Sequence, residues 1–203
     1  MKLLVATKNH GKLIEFRRIY GELGLEIVGA DDVGADDVEE TGDTFEANAL
    51  LKARAGARAS GLWTLADDSG LEVDALGGAP GVRSARYSEG GSEANVRKLL
   101  EALRDVPDAQ RTARFRCVLA LVDPAAPDAA PTLVSGACEG HIARAPRGAG
   151  GFGYDPVFVP AGHDVTIAEL GDAEKDALSH RGVACERMRP ALARLTCEMP
   201  PNP

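Results

Sequence analysis

The chain has no closely spaced pair of cysteines. Cys117, Cys138, Cys185 and Cys197 are scattered without a CxxC spacing, which argues against a zinc site or a disulfide framework and fits packing residues in a reducing cytoplasm. No apolar run approaches the length needed to cross a bilayer, so a soluble protein with no membrane association is expected. Leu3-Leu4-Val5-Ala6 is too short for a signal-peptide core and lacks a small-residue cleavage site, so nothing directs export. Basic residues are outnumbered, with Lys and Arg totalling 23 against 31 Asp and Glu. A formal charge of −8 argues against a broad surface for a nucleic-acid polymer, because phosphate backbones are held mainly by Lys and Arg; small phosphates remain compatible. Between Ile19 and Leu51 there is no Lys or Arg, while Glu39, Glu40, Asp43 and Glu46 crowd together. Such a segregated acidic stretch is either a solvated loop or one wall of a divalent-metal site. A Walker loop is missing too: in Thr7 to Lys12 the glycine spacing is wrong, and Leu13 stands where Ser or Thr would hold magnesium.

What is there fits one domain over residues 1–203, with enough chain for a sizeable core. Leu3 to Ala6 predicts a strand, followed by the polar loop Thr7 to Lys12 and a helix with Leu13, Ile14, Phe16, Ile19, Tyr20 and Leu23 at helical spacing. Ile27 and Val28 suggest a second strand. Asp43 as cap and Glu46 reaching back predict a helix from Thr44 to about Ser60, with Asn48 and Lys52 one turn apart on one face. Leu62 to Ala66 reads as a third strand ending at Asp67-Asp68, before the loop Gly77 to Gly81. Ser92 is expected to cap a helix carrying Val96, Leu99, Leu100 and Leu103. Ala113 to Val122 alternates like a half-exposed strand, with Thr132 to Cys138 as its partner in a hairpin that would form a second lobe. Pro156 to Val159 reads as a further strand, and Ala184, Met188, Leu192 and Leu195 line one face of a C-terminal helix. Strands alternating with helices and no internal repeat give an α/β class with a mixed sheet.

Chemistry concentrates in a few places. Adjacent carboxylates such as Asp67 and Asp68 raise one pKa unless a cation lies near, so the pair asks for a metal ion, a proton or a base role. The loop Thr7 to Lys12 precedes a helix, where free N–H groups and the dipole favour an anion such as phosphate. Lys52 and Lys175, taken singly, read as solvated lysines. Gly148 to Asp155 is glycine-dense; glycines let backbone approach a ligand, and the aromatic residues Phe152 and Tyr154 beside them can lie against a flat base. Ser179-His180-Arg181 offers three hydrogen-bond donors at a helix start, where Arg181 opposes the dipole unless an anion or acceptor offsets it.

Together, TKNHGK, EETGDTFEANALLKA, ADDSGLEVDALGGAPGVRSARY, GGFGYDPVF and SHRG closely resemble the blocks of the Ham1-like, or inosine triphosphate pyrophosphatase, family, in the family's order from Leu3 to about Leu195. The resemblance implies an elongated two-lobed α/β fold with a mixed sheet and a cleft between lobes, a homodimer and a requirement for Mg2+. It implies hydrolysis of the triphosphates of inosine, deoxyinosine and xanthosine to monophosphate and pyrophosphate, cleansing the nucleotide pool. By the same resemblance, the loop of Thr7, Lys8, Asn9, His10, Gly11 and Lys12 grips the triphosphate, chiefly through Thr7, Asn9 and Lys12, and Lys52 faces phosphate. Asp68 is the water-activating and metal-binding carboxylate, joined at the metal by Glu39 or Glu40, and Ser69 contacts substrate. Phe152, Gly153, Tyr154 and Asp155 embrace the nucleoside, and Lys175, His180 and Arg181 read the base. Two other classes fit less well: a nucleotide-sensing module without turnover, which has no need of a water-activating Asp68, and a kinase, which would need the missing Walker loop.

Overall fold

The computed structural model describes residues 1–35 and 38–197, without the side chain of Cys197; the packing role expected of that cysteine lies outside the described residues. Six strands form one mixed sheet in the order β2-β1-β3-β4-β5-β6. They are β1 (Lys2–Val5), β2 (Glu26–Gly29), β3 (Trp63–Val73), β4 (Thr112–Val122), β5 (Thr132–Ile142) and β6 (Phe158–Pro160). The helices are α1 (His10–Tyr20), α2 (Phe45–Ser60), α3 (Gly91–Ala102), α4 (Asp172–Leu178) and α5 (His180–Cys197). β1 runs parallel to both β2 and β3, while β5 and β6 are antiparallel. This is the α/β class with a mixed sheet that the sequence predicts. The chain divides into two compact units, residues 1–68, 118–135 and 182–203 in one, 69–117 and 136–181 in the other.

In the first unit Leu3, Leu4 and Val5 are all fully buried, the continuous apolar pattern of a strand covered on both faces. α1 begins where Asn9 leaves helical geometry and its side chain accepts the Lys12 N–H at 3.1 Å. α2 is started by Thr44, whose Oγ1 accepts the Ala47 N–H at 3.1 Å; the expected cap, Asp43, lies one residue before. Ala49, Ala53 and Ala57 are buried along α2. Gly56 lets the helix come very close: a Cβ there would sit 2.9 Å from Thr64 Cγ2 and 3.1 Å from Leu4 Cδ2. In α5, Ala184, Met188 and Leu192 are fully buried at four-residue spacing, and Tyr20 O–H donates to the Cys185 carbonyl at 3.1 Å.

The second unit has its own core, in which Leu71, Val73, Val96, Leu99, Leu103, Phe115, Tyr154 and Phe158 are buried together. Arg111 is buried beside it, and its guanidinium donates to the carbonyls of Leu103, Ile142 and Ala143, so its polar atoms are met by backbone. α3 starts at Gly90 in left-handed geometry (φ 110°), which puts Ser92 inside the first turn and not at the cap. Cys117, Cys138 and Cys185 are buried thiols, as expected of packing residues, and burial raises the Cys138 thiol to about 11. Among the described residues, no helix is long and apolar enough to cross a membrane.

Two expectations change. β3 does not end at Asp68: it continues to Val73, because both acids find partners and Leu71 and Val73 resume the buried pattern. β4 and β5 are not a separate hairpin lobe, since both are inner members of the six-stranded sheet and each belongs partly to either unit.

Candidate active site

Asp67 and Asp68 are both buried within β3. Successive strand residues face opposite sides, and each carboxylate meets its own ammonium: Lys12 Nζ bonds Asp67 Oδ1, and Lys52 Nζ lies 3.1 Å from Asp68 Oδ1. The repulsion expected of neighbouring carboxylates is therefore relieved by two lysines. Lys52 also donates to Glu40 Oε1 at 2.6 Å, so one ammonium joins carboxylates from two segments. Glu40 is half-buried and Glu39 is exposed. Of the two acids, Glu40 is the one gathered with Asp68 through Lys52.

The second oxygen of Asp68 is held by Asn48, whose Nδ2 donates to it at 3.1 Å. Burial pushes the Asp68 carboxyl above its usual range; Lys52 works against that shift, and Glu40 adds to it. The Lys52 ammonium is opposed by burial, but Asp68 and Glu40 outweigh this and raise its pKa. Neither is the freely solvated lysine or turn aspartate that single-residue reading would allow. In the loop before α1, Thr7 Oγ1 accepts the Asn9 N–H at 3.1 Å, and Thr7, Lys8 and Lys52 line one small cavity. Lys8 and His10 are exposed and Gly11 is half-buried. The first unit thus gathers Lys12, Lys52, Asp67, Asp68 and Glu40, with a polar helix-start loop whose geometry suits an anion.

The second unit carries another cluster. Asp155 is buried, and its Oδ2 accepts the Phe152 N–H at 2.9 Å and the Lys175 ammonium at 2.8 Å. Gly151, at φ 71°, is required there, because a Cβ would come 2.1 Å from that oxygen. Above the Phe152 ring lie Lys175 Nζ, 5.0 Å from its centre, and Arg181 Cζ, at 5.6 Å. Arg181 Nη2 donates to Ser69 Oγ at 3.0 Å, and His180 stacks on Phe115 with ring centres 4.7 Å apart. Lys175, read singly as solvated, is buried. Phe152, Gly153, Asp155, Lys175, Arg181 and Ser69 therefore belong to one neighbourhood. Tyr154 has its ring in the apolar core, and its O–H donates to the Ser84 carbonyl at 2.9 Å. Burial also holds its phenol well above the usual range.

Asn48 is the part of this arrangement that sequence reading left without an assigned role. Its four-residue spacing from Lys52 was the available signal.

A model of the Ham1 family matches residues 3–191. This chain belongs to the Ham1 family. A dITP/XTP pyrophosphatase of Nocardia farcinica is 56% identical over 200 residues, covering 96% of each chain. One from Escherichia coli K12 is 49% identical over 193 residues, 94% of this chain and 98% of its own. Among solved structures, a HAM1 protein from Coxiella burnetii superimposes with a TM-score of 0.86 at 43% identity, covering 96% of this chain and 99% of its own. A dITP/XTP pyrophosphatase from Mycobacterium abscessus gives 0.74 at 49% identity, covering 94% and 100%. Membership in the Ham1 family extends over both clusters.

Proposed function

We propose that this Ham1-family chain is a nucleoside triphosphate pyrophosphatase that hydrolyses non-canonical purine triphosphates, dITP, ITP and XTP, to the monophosphate and pyrophosphate. The observation that carries this reading is Asp68, 4% exposed, held at 3.1 Å by both Lys52 and Asn48, with Lys52 shared by Glu40. A carboxyl made more basic by burial is suited to take a proton from water. The hydroxyl then joins phosphorus, the proton goes to Asp68, and the bridging oxygen leaves with the other product. Lys12, Lys52 and the Thr7–Asn9 loop supply positive charge and N–H donors for the triphosphate oxygens.

The donor set fits Mg2+. Asp68 and Glu40 offer hard carboxylate oxygens, and their shared bonds to the Lys52 ammonium support the reading that this place favours a cation. Among the described residues no group of three or more His, Cys, Asp or Glu could hold a metal ion, so magnesium here would need further ligands from phosphate and water. When bound there, magnesium would neutralise charge on the phosphates and make a coordinated water more acidic.

For the base, Arg181, His180 and Lys175 are donors. Hypoxanthine and xanthine present a 6-keto acceptor where adenine presents an amino donor, so adenine would leave a donor unmet. Arg181→Ala should then reduce the preference for dITP over dATP, in kcat/KM, by about tenfold, the worth of one charge-assisted hydrogen bond. The same preparation should keep its magnesium dependence; an unaltered preference would move base reading to other residues.

The deciding experiment offers dITP, XTP, dATP, dGTP and dTTP in turn, with magnesium and with EDTA. Equal amounts of monophosphate and pyrophosphate from dITP and XTP, lost in EDTA, are expected; orthophosphate as first product, or equal turnover of dATP, would overturn the reading. A cytoplasmic homodimer completes the proposal, supported by the family resemblance, and light scattering tests its mass.

A further inference from the structure

Asn48 lies on the second turn of α2, is fully buried, and uses both ends of its amide. Its Oδ1 accepts the Gly42 N–H at 2.8 Å, and its Nδ2 donates to Asp68 Oδ2 at 3.1 Å. The amide can point only one way. A backbone N–H requires the oxygen and a carboxylate requires the nitrogen, so a flip would break both bonds. Asp68 in turn has Oδ1 with Lys52 and Oδ2 with Asn48, which fixes the plane of its carboxylate.

The other end acts on a different segment. Gly42 stands two residues beyond Glu40, and a Cβ on Gly42 would lie 2.7 Å from Asn48 Oδ1 and 2.8 Å from Ala47 Cβ, so the loop is pressed against the amide. The helix that carries Asn48 is anchored by its Thr44 cap and its buried alanines. A rigid helix therefore spaces two carboxylate-bearing segments through one side chain, as side chains behind metal ligands commonly do.

We infer that Asn48 is a positioning residue that sets Asp68 and Glu40 relative to each other for the cation and water of hydrolysis. This rests on the function proposed for Asp68. It is distinct from a packing role, since Asn48 makes two directed bonds to the two acid-bearing segments, and from a catalytic one, since it reaches the reaction only through them.

The test compares wild type, Asn48→Ala, Asn48→Ser, Gly42→Ala and Asp68→Asn. Melting curves, dITP kinetics over a magnesium series, and Mn2+ binding to the substrate-free protein by loss of the free-ion spin-resonance signal are recorded for each. Asn48→Ala should lose about 10–100-fold in kcat and need a several-fold higher magnesium concentration, with KM for dITP at saturating magnesium within about twofold of wild type. Weakened Mn2+ binding should accompany it, and Gly42→Ala should shift the same quantities in the same direction. An inactive Asp68→Asn beside an Asn48→Ala with wild-type kcat, magnesium requirement and Mn2+ binding overturns the inference and leaves the proposed function standing. An active Asp68→Asn, or a wild type indifferent to magnesium, overturns the proposed function itself. If the Asn48 and Gly42 variants all melt below the assay temperature, the residue is structural and the positioning role is lost.

Discussion

Asp68→Asn should yield a folded protein whose release of pyrophosphate from dITP has fallen by about 10²–10⁴-fold, the range attached to losing a positioned acid or base. The substitution is nearly isosteric. Lys52 keeps Glu40 as a partner at 2.6 Å, and an asparagine can still offer an oxygen to the Asn48 amide, so the local bonds are largely preserved. The charge, the proton-accepting capacity and one bond to Lys52 disappear, because the asparagine NH2 replaces the oxygen that Lys52 Nζ meets. A melting temperature near that of wild type together with near-normal turnover would remove Asp68 from the chemistry.

The second large effect is on stability. Lys52→Met would remove the ammonium that Asp68 and Glu40 share, at 3.1 and 2.6 Å. Lys52 has a side chain only 13% exposed, and breaking a buried pair by removing one member costs about 3 kcal/mol. The sign with pH follows from the raised Lys52 pKa. A cation whose folded pKa exceeds its unfolded value contributes fully below the unfolded value, about 10.4, and loses that contribution as pH rises through the folded one. At the acid end the Asp68 pKa is raised, chiefly by burial, so its carboxyl takes up a proton earlier than an exposed aspartate and no longer calls for an ammonium. The gap between wild type and Lys52→Met in denaturant melts should therefore be widest near neutrality and narrow toward both extremes. A gap that stays constant down to pH 3 would mean that Lys52 stabilises by packing alone.

The alternation of strands and helices was readable because apolar runs such as Leu3 to Val5 and the four-residue spacing from Ala184 to Leu192 encode burial directly. The polar site was readable only in pieces. The doublet at Asp67 and Asp68 looked like the exposed end of a strand, since pattern reading cannot anticipate lysines arriving from 55 and 16 residues away. Glu39 and Glu40 are identical in type and adjacent, and only the three-dimensional path of the loop tells which one turns toward Lys52. Tyr154 carries the same local signal as Phe152, an aromatic between glycines and an acid, yet one ring joins the core and the other lies beneath two cations. Asn48 carried a spacing but no hint of its two partners, because a hydrogen bond to Gly42 depends on a loop conformation that propensities do not encode.

The first unit is assembled from three stretches of chain, and its closing helix supplies the Cys185 carbonyl to Tyr20 across 165 residues. During translation, therefore, the end of α1, where Ile19 and Tyr20 meet α5, must wait for residues beyond 182 to leave the ribosome before its surroundings are complete. Contacts this remote in sequence slow folding because long loops have to close first. A nascent chain halted short of α5 would expose the apolar side of α1 and offer chaperones a target.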